Sequence, residues 1–193
     1  AVSLLRRGNR TNGASRRAFT PGPANMPTIH DRRFLDGRDT HDPMRRIDDV
    51  LTEVAAIYRS AVETVGPAFY DAEQVSAWAA ASDKPTVLGE TLGRGLSLLR
   101  TVDGRPAAVG QIDGGGHIGL LYVHGDFARQ GHGGQLLVQL LDHARRSGAD
   151  TATIDASHFS ARLAARHGFT VEAEENPEYA SVRFRRWRMR KQL

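Results

Sequence analysis

From Asp49 onward apolar residues recur at helical spacing: Val50, Val54, Ile57, Tyr58, Ala61, Val62 and Val65 share one face until Gly66-Pro67 ends the run. A second amphipathic helix is expected after Asp71, which with Gln74 makes a capping-box pattern ahead of Val75, Trp78 and Ala79. The period then shortens. Three strand-like segments, Leu96–Val102, residues 107–112 and residues 118–123, are joined by Asp103-Gly104 and by Gly114-Gly115-Gly116, which predicts an antiparallel meander. The clearest helix spans 135–146, with Leu136, Leu137, Leu140, Leu141 and Ala144 on one side and Gly148 as its stop. Beyond it, Thr151–Ala156 reads as a buried strand, 160–167 as a short helix ended by Gly168, and 169–174 with 181–189 as a closing pair of strands.

Residues 1–43 are rich in Arg, Gly, Pro, Asn and Asp and show little periodicity, so they are expected to form an extension, with the folded domain at 44–193. The length of 193 residues and 40% apolar content suit one sizeable core and leave too little chain for a second full domain. The absence of cysteine excludes disulfides and thiolate zinc sites. No segment approaches the ~18 consecutive apolar residues of a membrane span, and the first residues lack the apolar stretch of a signal peptide; a cytoplasmic location is expected.

The net charge of +4 is unevenly placed: residues 1–30 hold Arg6, Arg7, Arg10, Arg16 and Arg17 and no acid, which leaves the remainder slightly acidic. A nucleic-acid reading would therefore rest mainly on that tail. A second basic run, Arg183, Arg185, Arg186, Arg188, Arg190 and Lys191, alternates with Val182, Phe184, Trp187 and Met189, as a strand with one buried and one solvated face would.

The segment from His124 to Gln135 joins a strand to an amphipathic helix through closely spaced glycines. Glycine lets the backbone turn its N–H groups inward, and the helix start adds partial positive charge, so the turn suits an anion, with Arg129 beside it. The P-loop pattern fails because no Lys follows, and G-x-G-x-x-G fails because position 136 is Leu. A meander also precedes the turn where a dinucleotide fold expects helices between strands.

At these residues the chain resembles the GNAT superfamily of N-acetyltransferases, whose pyrophosphate loop reads [QR]-x-x-G-x-[GA] between the fourth strand and third helix. Here it is Ala128-Arg129-Gln130-Gly131-His132-Gly133: both glycines match and the first position departs. The preceding Leu120-Leu121-Tyr122-Val123-His124 is similar to the family's fourth strand, with Gly125 where proline is common. Downstream, Ser157, Ser160, Leu163 and Ala164 fall, by counting back from Gly168-Phe169, on the family's N-x-x-A-x-x-[LF]-[YF]-x-x-x-G-F. The family's first strand has only Met44 to Ile47 or Arg33 to Leu35 to match it, unless the extension supplies it.

The resemblance implies an α+β fold with α/β/α layers: a mixed, mainly antiparallel central sheet with helices on both faces. It implies acetyl-CoA as co-substrate, an amine-bearing acceptor and a monomer or homodimer. Coenzyme contacts would come from Leu121, Tyr122, Val123, Arg129, Gln130, Gly131, His132, Gly133, Gly134 and Ser157. An alkylammonium has a pKa near ~10, so attack on the thioester needs a proton acceptor. His117 lies 14 residues before Gly131, where some relatives carry a catalytic glutamate, and is the first candidate; Tyr122, His124 and Asp155 are the others. Ala164 stands where relatives often carry an acidic tyrosine, which keeps open a coenzyme-binding module without turnover. No histidine spacing matches a zinc pattern, so no metal is expected.

Overall fold

The structure, a computed structural model, describes residues 26–193. The helix expected from the first apolar period is α1 (Leu51–Val65), which buries Val54, Ile57, Tyr58, Ala61 and Val62. It is followed by α2 (Ala72–Ala79), whose cap is reciprocal: the Gln74 N–H donates to Asp71 Oδ1 at 2.8 Å and the Asp71 N–H donates to Gln74 Oε1 at 3.1 Å. A third helix, α3 (Pro85–Leu92), has no counterpart in the sequence reading. The meander forms as expected from β3 (Leu96–Val102), β4 (Arg105–Ile112) and β5 (His117–Val123), each antiparallel to the next. Next come α4 (His132–Arg146), β6 (Thr151–Ala156) and α5 (His158–Arg166), then β7 (Thr170–Glu175). The last expected strand is divided: β8 (Glu178–Tyr179) and β9 (Val182–Arg183) make a small hairpin, and β10 (Arg186–Gln192) re-enters the sheet.

The expected boundary at Pro43 needs correction, because β1 (Ile29–Leu35) lies inside the segment read as an extension. It pairs antiparallel with β3 along its whole length, from Ile29↔Val102 to Leu35↔Leu96, and a short β2 (Arg38–Asp39) folds back on it. The first-strand candidate Arg33 to Leu35 is thus the end of the real strand, while Met44 to Ile47 forms no strand. The basic residues 1–25 lie outside the described residues.

The sheet order is β2-β1-β3-β4-β5-β6-β10-β7. Leu96, Leu98, Ala108, Ile112 and Ile118 meet Leu136, Leu137 and Leu140 of α4 on one face, where Ala164 of α5 also packs. On the other face Leu99, Val109 and Leu120 meet Val54, Ile57, Tyr58 and Val62 of α1, with Leu88 and Leu92 of α3 beside them. Helices therefore cover both faces of a mainly antiparallel sheet, the layering that the resemblance implies.

Candidate functional site: a split in the sheet

The site originates in one irregularity of β5. Gln111 pairs with Leu120 and Ile112 with Ile118, so Gly119 is an extra residue, a β-bulge. Its N–H donates to the side-chain oxygen of the buried Gln111 at 3.2 Å, while Gln111 Nε2 donates to the Arg94 carbonyl at 2.7 Å. A Cβ at position 119 would lie 2.5 Å from that amide oxygen, so any larger residue would displace the Gln111 side chain that holds the bulge. At the same point β5 leaves its other neighbour. The strands β5 and β6 make the single parallel pairing among the described strands, and it joins only His117↔Thr153 and Ile118↔Ile154. Beyond Ile118 they diverge, which frees one backbone edge of β5 and opens a cleft of about 250 Å³.

The cleft runs through the sheet. On the α4 side its walls include Leu121, Val123, Gly133 and Leu163; on the α1 side they include Val62, Val65, Trp78 and Tyr122. Ser157, the N-cap of α5, and Ser160 line it too. Asp155, at the end of β6, is the one carboxylate on the lining. Its carboxylate is 3.1 Å from the Arg186 guanidinium.

At the α4 end the loop is built from left-handed backbone. Arg129 has φ of 62° and Gly131, the N-cap, has φ of 89°. A left-handed conformation costs a non-glycine residue on the order of 1 kcal/mol, a cost that tends to persist where function needs it. Gly131 lacks a side chain to cap the helix, so the N–H groups of His132, Gly133 and Gly134 head α4 without an intrahelical acceptor. The first turn holds no acid, and Arg129 lines the cleft with no ion pair among the described residues. Three backbone donors, a helix dipole and a guanidinium thus converge on a place where an anion can sit.

Of the residues expected at a coenzyme site, Leu121, Tyr122, Val123, Arg129, Gly133 and Ser157 reach the cleft wall. Gln130, Gly131, His132 and Gly134 stand behind it in the loop and the first turn of α4, able to contribute through the backbone. The His132 side chain points away: it is 5% exposed, neither ring nitrogen has a partner, and desolvation holds its pKa below the ordinary value. His117 is not on the wall; its Nδ1 is 3.0 Å from Thr153 Oγ1 at the closed end of the split. His124 receives the Asp126 N–H on its ring at 3.3 Å and is also absent from the wall. Ala164 is buried in the core beneath α5.

Trp78, which the helical pattern marks only as an apolar position of α2, shapes the α1 side of the cleft. Its Nε1–H donates to the Tyr122 hydroxyl at 3.4 Å. The Tyr122 ring lies 4.2 Å from that of Tyr58, and Trp78 packs edge-on against Tyr70 at 5.3 Å. Burial raises the pKa of Tyr122 and outweighs the hydrogen bonds from Tyr58 and Trp78 that would lower it, so its hydroxyl keeps its proton at neutral pH. Burial, with the neighbouring Tyr122 phenol, pushes Tyr58 up as well. Nothing local in the sequence marks Trp78, Tyr122 and Asp155 as sharing one cleft, because they come from α2, β5 and β6 and line it together only in the folded chain.

Among known structures, the chain is similar to a GCN5-related N-acetyltransferase from Rhodopseudomonas palustris, at 27% identity and a TM-score of 0.75, over 89% of this chain and 100% of that one. PaiA N-acetyltransferase from Thermoplasma acidophilum, solved with coenzyme A, shares the fold at 14% identity and a TM-score of 0.61, over 86% of this chain and 99% of that one. YncA from Salmonella typhimurium, solved with acetyl-CoA, does so at 20% identity and 0.55, over 86% and 94%. No curated relative matches the chain. The acetyltransferase (GNAT) domain family matches residues 68–193, from the turn before α2 through the loop, the split and the end of the sheet, and the chain belongs to that family of acetyltransferases.

Proposed function

We propose that the protein transfers the acetyl group of acetyl-CoA to a primary amine. The observation that carries this reading is the continuity of the cleft, which joins an anion-receiving helix start to the free edge of β5 and then to a second compartment across the sheet. The N–H groups of His132, Gly133 and Gly134, with Arg129 and Gln130, would receive the pyrophosphate. The backbone of Leu121, Tyr122 and Val123 would align the pantetheine arm and polarise the thioester carbonyl, with Ser157 on the facing wall. Proximity alone can supply ~7–11 kcal/mol of barrier reduction when two reactants are held in line.

In the transfer, the amine nitrogen attacks the carbonyl carbon, the new C–N bond replaces the C–S bond, and the products are an N-acetyl amine and free coenzyme thiol. The apolar wall favours the uncharged amine, and Asp155 is placed to accept the proton the nitrogen gives up. The departing thiolate takes its proton from solvent at the open end of the cleft, because burial makes the Tyr122 phenol a weaker acid than a thiol. Asp155 thus replaces His117 as first choice for the base, because it is on the cleft wall and His117 is not.

A competing reading is a coenzyme-binding module without turnover, favoured by the buried Ala164, which offers no proton. Incubation with acetyl-CoA and a panel of amines, read by thiol release and by mass of the acetylated product, separates the two. Amine-dependent thiol release is expected. Coenzyme binding with no product on any amine would leave only the module.

A further inference from the structure

Given acetyl transfer to an amine, we infer that the acceptor is a monoamine carried on an aromatic or branched apolar body, and that the site rejects polyamines. The two sides of the split are unlike. Leu121 and Val123 pack toward α4 and the anion-receiving loop, whereas Tyr122 packs toward α1, so the coenzyme side and the acceptor side are separated by the sheet itself.

On the acceptor side the wall is made of Val62, Val65 and the rings of Trp78 and Tyr122. Trp78 is fixed before any ligand arrives: Tyr70 is edge-on at 5.3 Å, Phe184 at 6.4 Å, and its indole N–H is committed to the Tyr122 hydroxyl. A preformed aromatic wall receives apolar ligand surface at little ordering cost, and ring-to-ring contact adds selectivity for an aromatic body.

Charge decides what else can enter. Asp155 is the lone carboxylate on the lining, and it already faces Arg186, whose guanidinium also binds Glu175 at 2.7 Å. Residues 1–25 contain no Asp or Glu, so they cannot add an acid to the site. One ammonium can approach Asp155; a second positive charge on the same molecule would be desolvated against apolar walls with no counter-charge.

The test compares kcat/KM for 2-phenylethylamine and for spermidine at one pH with saturating acetyl-CoA. The arylalkylamine is expected to exceed spermidine by tenfold or more. Trp78→Ala is expected to raise KM for 2-phenylethylamine at least tenfold with acetyl-CoA affinity within threefold of the parent, and Trp78→Phe to restore most of the loss in KM. Preference for spermidine, or an unchanged KM in a folded Trp78→Ala protein, overturns the acceptor class and leaves acetyl transfer standing. Absence of product from both amines, and from the wider panel, removes acetyl transfer and the acceptor class together.

Discussion

At neutral pH the imidazole of His132 is uncharged, because burial without a hydrogen-bond partner disfavours its cation and the nearby Arg100 adds to that effect. In the unfolded chain the same group accepts a proton near pH ~6.5. A folded pKa below the unfolded one means that stability is flat above pH ~6.5 and falls as the pH drops beneath it, by at most about 1.4 kcal/mol per unit for this one group. His132→Leu is expected to flatten that part of the profile, measured by urea unfolding between pH 7 and pH 5; an unchanged slope would show the proton is taken up elsewhere. The proposed base gives a second test. Asp155→Asn is expected to lower kcat at neutral pH by roughly 10²-fold with coenzyme affinity unchanged, and His117→Ala to stay within threefold of the parent. The reverse result, read from the two pH-rate profiles, would return the base to His117. What was legible at this scale was the glycines of the loop, because a positive φ at Gly131 restricts residue type directly. Asp155 and Trp78 carry no such local restriction, and only their shared place on the cleft lining gives them meaning.

Among the elements, β1 shows why hydrophobic patterning has a blind spot. Its sequence, Ile-His-Asp-Arg-Arg-Phe-Leu, places charged residues where a buried strand usually has apolar ones, and only Phe34 is fully enclosed. The charges are matched instead: Arg32 pairs with Glu53, and the buried Arg100 grips Asp31 through two bonds of 2.7 Å while Gln139 of α4 donates to the same carboxylate at 2.8 Å. Burial would raise the pKa of Asp31, but these bonds from Arg100 and Gln139 hold it below the usual carboxylate range. Helix α3 escaped for a related reason. Its Pro85 start and internal Gly89 look like a loop, and just two side chains, Leu88 and Leu92, are buried. Phe34→Ala is expected to cost about 3–5 kcal/mol, read from the urea midpoint, as for other enclosed aromatic residues. A loss within 0.5 kcal/mol would mean that β1 is peripheral after all. Elements with a clear period or cap, α1, α2, α4 and the meander, were legible in the sequence, although α4 begins at His132, three residues before the expected start at 135, because the glycines of the loop are its N-terminus.

For the molecule as a whole, the sheet is two blocks joined at a short parallel contact, with the cleft between them. In the second block charges are paired across the strands: Arg185 pairs with Glu174, Arg186 and Arg188 with Glu175, and Arg190 with Glu172. Most of the basic run in the sequence is therefore paired along β10 and the turn before it rather than forming a free cationic patch, though each exposed pair contributes only about 0–1 kcal/mol. No described helix is long and apolar enough to cross a membrane. Acetyl transfer by this chain depends on an anion being held at the start of α4, which is measured directly by calorimetric titration of acetyl-CoA into the parent and into Gly131→Asp, with circular dichroism to show that the variant is folded. A side chain at φ of 89° strains the loop, and a carboxylate there opposes the phosphates, so binding is expected to disappear in the variant while the parent binds. Equal affinity in a folded Gly131→Asp protein would contradict the assignment of the loop, and with it the acetyl-transfer reading.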